Sequence, residues 1–368
     1  MWIHFALFAA LLLPAALLGL RGNASRRGSR VILVVAFVAF VAFSSMRAVS
    51  VGNDTIEYHR VFEAIKASNS LQEAFTVSRF EYGYAILNYL VSRITQNFNV
   101  LLLLISVFVY GSAVLFIKRY AASYSLAVLF AFGMSVFYDL MLAVRQGIAV
   151  AIFLLAVPAL MERKLVRYVL LVVLASQFHV SVLLLLVVYL IPYMRLSTFG
   201  DWFKWGALIG IVMFSLSWLL NWLLISSVYY GHYLHSDYAD GGVRSATVLL
   251  IITRIILLLL AATCGWNASV EADPSGRTRN LLALAVADVA MVVIALGFNL
   301  LDRLEMYLTL PFAVGLANLA AHGERPERSY VSALLVVIAF AATTTFFLYR
   351  PEWYHLFPYH TFLEEGLP

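Results

Sequence analysis

Between Tyr138 and Ser181 the chain reads YDLMLAVRQGIAVAIFLLAVPALMERKLVRYVLLVVLASQFHVS. Two apolar runs are joined by a basic turn, so Arg145 at the start of the first and His179 at the end of the second fall on one side of a membrane. A charge at the centre of a helical span costs about 2.5 to 3.5 kcal/mol by insertion scales, which makes ionisable groups set against apolar runs candidates for function. Arg145, Arg244 and Arg303 each stand where an outer loop meets an apolar run. Guanidinium stays charged and forks onto phosphate oxygens, so several arginines facing one cavity suit a pyrophosphate. The alternative for each is snorkelling to lipid headgroups. A histidine has an unperturbed pKa of about 6.5 and can take a proton from a hydroxyl, which makes His179 a candidate base or a hydrogen-bonded interfacial residue. Asp54 and Glu81 are rival bases, equally able to orient a sugar hydroxyl or to pair with an arginine. The cluster Tyr229 to Tyr238, with Tyr233 inside it, and the tail aromatics Trp353, Tyr354 and Tyr359 offer flat apolar faces with polar tips. They suit a sugar platform or an ordinary interfacial belt.

The elements that position these residues follow from composition. With 63% hydrophobic and 12% charged residues and a mean hydropathy of +0.89, the chain has too little charge for a soluble surface. It reads as an all-α, polytopic membrane bundle. The net charge of +5 lies in short connectors between apolar runs rather than on one polar face, so topology explains it and nucleic acid is not an expected partner. Cys264 is the single cysteine, which excludes an intrachain disulfide and a thiolate metal cluster. No Gly-rich phosphate loop or HExxH motif is present, and no cofactor or metal is expected. Met1 to Leu20 lacks a basic n-region and a small-residue cleavage site and is predicted to be a retained span.

Spans need about 20 apolar residues, within about 17 to 25. Twelve are predicted, near 2 to 20, 31 to 49, 98 to 117, 124 to 142, 146 to 161, 166 to 178, 180 to 194, 204 to 225, 246 to 264, 280 to 298, 304 to 321 and 330 to 348. The fifth to seventh are short. The segment 82–95 is interrupted by Asn88 and Arg93 and is assigned as re-entrant or interfacial. Basic residues of Arg21 to Arg30, Lys118-Arg119, Glu162 to Arg167, and later Arg195, Lys204, Arg277, Arg279, Arg325 and Arg328 then share one side, the cytoplasm, with both termini outside. The chain is read as a single transmembrane domain with outer loops near 50–97 and 226–245 and an outer tail over 349–368. Arg254 and Asp288 fall at similar depth on consecutive spans, about 12 and about 15 Å from the outer edge at 1.5 Å per residue. They are expected to form a structural ion pair, with a proton relay as the alternative.

Several short motifs, taken in order, resemble the EpsG family of Wzy-like bacterial polysaccharide polymerases. They are Gly52-Asn53-Asp54-Thr55 with Tyr58, then Glu81-Tyr82-Gly83-Tyr84 leading to Leu87-Asn88, then Val144-Arg145-Gln146-Gly147-Ile148-Ala149, then Glu162-Arg163-Lys164, and Ala175-Ser176-Gln177-Phe178-His179-Val180-Ser181. Asp302-Arg303 with Tyr307 is a weaker continuation. Tyr82 stands where the family often has proline, and the match loosens after Pro192. The resemblance implies a GT-C-like glycosyltransferase that joins undecaprenyl-pyrophosphate-linked oligosaccharide repeat units at the outer face of the bacterial inner membrane. It also implies a chain-length regulator and a flippase as candidate partners, beside membrane lipids. On this reading Arg145, with Gln146 beside it, binds the pyrophosphate and Arg303 and Arg244 are further phosphate candidates. His179 is the base or its orienting partner, Asp54 and Glu81 position hydroxyls or supply the base, and Tyr58, Tyr84 and Tyr233 contact substrate. Because guanidinium groups can meet the charge of the leaving group, no divalent metal is required. A glycan ligase and a non-enzymatic lipid-linked glycan transporter or assembly subunit are the alternatives.

Overall fold

The computed structural model of the chain describes residues 1–20, 26–193, 200–201, 203–208, 210–212, 215, 218, 245–271, 276–295, 304–322, 327–349 and 351–364. Among these the fold is helical, and the only extended pairing is one antiparallel bridge between Arg47 and Thr361. The helices are α1 (Trp2–Leu20), α2 (Arg26–Ser45), α3 (Thr55–Ala67), α4 (Leu71–Val77), α5 (Tyr82–Ser92), α6 (Phe98–Tyr120), α7 (Tyr124–Gly133), α8 (Val136–Leu142), α9 (Val144–Met161) and α10 (Leu165–Ser176). A 3₁₀ run over Val180–Tyr193 follows. After it come α11 (Ser245–Glu271), α12 (Arg277–Ala295), α13 (Glu305–His322), α14 (Glu327–Tyr349) and the short α15 (Pro351–Tyr354).

Phe98–Tyr120, Val144–Met161 and Tyr330–Tyr349 are long and apolar enough to cross a membrane. A fourth crossing is made if α7 and α8, bent by 57°, are one span. At that bend Ser135 adopts a left-handed φ of 63°, and Thr343 of α14 donates to the carbonyl of Gly133 at 2.6 Å while meeting the Ser135 hydroxyl at 3.1 Å. A neighbouring helix thus supplies the partners that the broken backbone lacks. The predicted short spans have distinct solutions. α9, with 18 residues, is about 27 Å long, while α10, with 12, reaches only about 18 Å. The next stretch winds as a 14-residue 3₁₀ run, which at about 2.0 Å per residue extends about 28 Å. The predicted eighth span lies mostly outside the described residues.

α9 is the central helix. It is buried all round except at Arg145, Leu155, Pro158 and Met161, and it packs on α6, α8, α10 and α13. An apolar helix without a polar face has to be interior. α13 packs between α7, α11 and α12, and α14 packs on α7 and α11. On the side away from Arg145, Asn318 of α13 accepts from the Ala122 N–H at 2.7 Å and donates to the Tyr120 carbonyl at 3.0 Å. One amide thereby serves the α6 terminus and the link to α7.

Residues 50–97, predicted as a long loop, form a three-helix cap, α3 to α5. Tyr58, Val61, Phe62 and Ile65 recur at helical spacing and are buried, and Val61, Ile65, Ala74 and Ala85 form a small core of their own. Arg93, which interrupts the apolar pattern of α5, donates to the carbonyls of Ile65 at 3.1 Å and Ser68 at 2.7 Å, closing the exposed end of α3. α5 has 11 residues, about 16 Å, too short to cross. The tail folds back over α2. Ala48 donates to His360 at 2.9 Å, Phe362 to Met46 at 2.9 Å and the Tyr359 hydroxyl to Phe43 at 2.6 Å. Tyr359 thus pins the tail to α2, and the Tyr354 hydroxyl likewise donates to Asp139 at 2.9 Å.

The expected pair of Arg254 and Asp288 forms in the interior, and it is larger than expected. Arg254 also meets Glu305 at 3.1 Å and donates to Thr309 at 3.1 Å. Glu305 and Thr309 lie one helical turn apart on α13, so three helices meet at one guanidinium.

Candidate active site

Four elements meet at the N-terminal end of α9. Glu81 is the N-cap of α5, with extended backbone and no side-chain bond to its own helix, so its carboxylate is available elsewhere. It forms an ion pair with Arg145 in the first turn of α9, both side chains nearly buried at 13% and 14% exposure. A cation there faces the positive end of the helix dipole, and the carboxylate offsets that. The second Glu81 oxygen lies 3.4 Å from the Val180 N–H, which brings the break between α10 and the 3₁₀ run to the same point. Gly83 makes the approach possible. Its N–H donates to the Gln177 carbonyl at 2.9 Å, and a Cβ on it would lie 2.6 Å from that oxygen.

His179, two residues past Gln177, is buried. Its Nδ1 is 2.7 Å from the Ser181 hydroxyl, which is 3.1 Å from the Tyr307 hydroxyl of α13. The imidazole is thus oriented by a hydroxyl chain, and a bond at one ring nitrogen sets the role of the other.

Aromatic rings back the ion pair. The Arg145 guanidinium sits 4.0 Å above the Phe80 ring. Tyr58 packs on Phe80 and Tyr84 with ring centroids 5.6 and 5.8 Å apart. A cation over a desolvated ring gains about 2 kcal/mol. Burial, with Tyr58 adding to it, holds the Tyr84 hydroxyl well above its ordinary pKa, so it remains a neutral donor. The Tyr84 hydroxyl faces the Asn88 side chain and lies within electrostatic reach of Arg145, whose Nε is buried and has no hydrogen-bond partner.

Arg47 is a second cation here that carries no signal in the sequence beyond its place at the end of an apolar run. It is 1% exposed. Its bonds go to the Ser44 carbonyl at 2.7 Å, the Ser44 hydroxyl at 3.0 Å and the Thr55 hydroxyl at 3.3 Å, and one terminal nitrogen is left over. Among the described residues no carboxylate pairs with it, and Tyr58 and Tyr84 are in its field. It lines a narrow enclosed cavity with Ser106, Tyr110 and Val144, the residue before Arg145. Tyr110, which lines the same cavity, feels Arg47 and Asp139 together.

The remaining sequence candidates divide. Gln146 is buried beside Arg145 in α9. Tyr58 and Tyr84 belong to the aromatic wall. Asp54 is exposed and caps α3 without a side-chain bond to the helix; its carbonyl accepts from the N–H groups of Glu57 at 3.1 Å and Tyr58 at 3.0 Å. Glu81 is engaged by Arg145 and so is not an independent base in this arrangement. Arg244, Arg303 and Tyr233 lie outside the described residues.

A comparison with protein families matches residues 30–361 to the EpsG family, nearly the whole chain and every element of this site. The chain belongs to the EpsG family. It is therefore a multi-pass membrane protein of polysaccharide biosynthesis, of the Wzy-like kind. No curated protein and no solved structure matches it.

Proposed function

We propose that this EpsG-family protein is a polysaccharide polymerase. It joins lipid-linked oligosaccharide repeat units at the outer face of the bacterial inner membrane, with undecaprenyl pyrophosphate as the leaving group. The observation that carries this reading is the buried Arg145 guanidinium, whose Nε has no hydrogen-bond partner, next to a histidine held by a hydroxyl chain.

In the reaction, the hydroxyl oxygen of an acceptor repeat unit attacks the anomeric carbon of the donor, and the bond from that carbon to the pyrophosphate oxygen breaks. His179 takes the hydroxyl proton. Ser181 and Tyr307 hold its ring and can relay the charge that forms. The departing pyrophosphate gathers negative charge, which the Arg145 guanidinium meets from an already desolvated position, with the Tyr84 hydroxyl beside it. Glu81 keeps Arg145 in place before substrate arrives and can share it with the phosphate. Arg47, within electrostatic reach of Tyr58 and Tyr84, contributes longer-range positive potential.

The test is chain growth in vitro from purified lipid-linked repeats. The wild-type protein should give a ladder of lengths, and Arg145→Ala and His179→Ala should each abolish it. Near-normal ladders from both variants would overturn the assignment. One addition per acceptor in place of a ladder would point to a ligase, and substrate movement with no new glycosidic bond to a transporter.

A further inference from the structure

The opposite end of α9 carries a different chemistry. The helix closes with Arg163 in a left-handed φ of 56°. The Lys164 N–H reaches back to the Ala159 carbonyl at 2.8 Å and the Arg163 N–H to Leu160 at 3.0 Å, a Schellman closure that usually takes glycine. The Arg163 side chain turns away, donating to the Pro192 carbonyl at 2.6 Å and covering the Tyr193 ring at 4.7 Å. The other cations of this turn are left facing outward.

They line a groove of about 920 Å³ between the ends of α6, α9 and α10. Arg119, Lys164 and Arg167 form its rim, and Leu155, Leu165 and Leu170 line its wall. The one carboxylate present is Glu162, which reaches Lys164 at 2.8 Å and Arg119 at 3.3 Å. Three cations share one acid, so the rim holds a net positive charge. Below it, Leu155 and Leu170 are 38% and 64% exposed. They continue along helices that the composition assigns to the membrane. Charge at the rim and apolar side chains beneath it repeat, in complement, the two parts of a phospholipid, whereas a soluble anion would use only the rim.

We propose that this groove binds the headgroup of an anionic phospholipid of the phosphatidylglycerol type, in the leaflet opposite the candidate active site. The lipid phosphate meets Arg119 and Arg167, and the acyl chains lie along Leu155 and Leu170. Basic pockets between helices at a membrane face recognise anionic headgroups in this way, each cation strengthening binding about fivefold. Glu162 competes with the phosphate for the same cations. The site does not depend on the reaction assigned above.

Native mass spectrometry of the full chain in detergent, titrated with phosphatidylglycerol, phosphatidylcholine and undecaprenyl phosphate, tests it. The first phosphatidylglycerol should bind several-fold tighter than phosphatidylcholine. Arg119→Gln with Arg167→Gln should weaken it about twenty-five-fold, whereas Arg60→Gln, exposed on α3, should change nothing. Glu162→Gln should tighten binding, because it removes the competing carboxylate, and loss of fold would not produce that sign. Unchanged phosphatidylglycerol affinity in the double variant, weaker binding in Glu162→Gln, or effects confined to undecaprenyl phosphate would each overturn the proposal.

Discussion

Replacing Gly83 with alanine should separate activity from stability. The new Cβ would lie 2.6 Å from the Gln177 carbonyl oxygen and 2.8 Å from its Cβ. A relaxed carbon–oxygen contact is about 3.3 Å, so the start of α5 and the end of α10 must part by about 0.7 Å. The obstacle is backbone, which cannot rotate away. Overpacking of this kind costs about 1 to 3 kcal/mol, and alanine's better helix propensity returns up to about 1 kcal/mol. The net loss of stability is therefore small. Glu81 is two residues away and anchors Arg145, and a displacement near 1 Å at a reacting centre can cost about a hundredfold. In the chain-growth assay Gly83→Ala should lose about ten- to a hundredfold in rate while the unfolding temperature in detergent falls by only a few degrees. Gly111→Ala is the matched control, since its Cβ would meet only Phe37 at 3.8 Å, an ordinary contact. Wild-type rate and wild-type melting for Gly83→Ala would refute the close packing of α5 on α10 as the device that sets the site.

Two further outcomes concern stability. Arg254→Met leaves Asp288 and Glu305 facing each other without their cation and should cost about 3 to 5 kcal/mol. Asp288→Asn should cost less, because Glu305 still neutralises the guanidinium at 3.1 Å; denaturation of both variants in detergent gives the order, and the reverse order would be inconsistent with a three-membered network. At Arg163, alanine keeps the left-handed strain and loses the Pro192 bond, whereas glycine loses the bond and the strain together. Arg163→Ala should therefore melt below Arg163→Gly by an amount equivalent to about 1 kcal/mol, and equal or inverted melting temperatures would remove the strain argument.

Much of the framework is legible without coordinates, because a membrane imposes a simple rule. Apolar runs must be helical to satisfy their backbone in lipid, and the described predicted runs are helical. The pairing of Arg254 with Asp288 follows from depth alone. The three-helix cap is less legible. Its helices are short, and Arg93 interrupts the apolar pattern of α5 because it bonds the carbonyls of Ile65 and Ser68 at the end of α3. Proximity is less legible still. Nothing in the local pattern distinguishes Glu81, a partner of Arg145, from Asp54, an exposed cap, so by sequence both are equal candidates as bases.

What the sequence determined by itself was the helical membrane architecture, the basic end of the α9–α10 turn and the motif order that marks the EpsG family. These depend on composition and on neighbours within one helix or one turn. Only the tertiary structure decided that Glu81 holds Arg145, that Ser181 and Tyr307 hold His179, and that Arg47 adds a second buried cation. The physical reason is that each of these contacts joins helices far apart in the chain, and their meeting depends on close packing, such as that of Gly83 on Gln177, which no local pattern records.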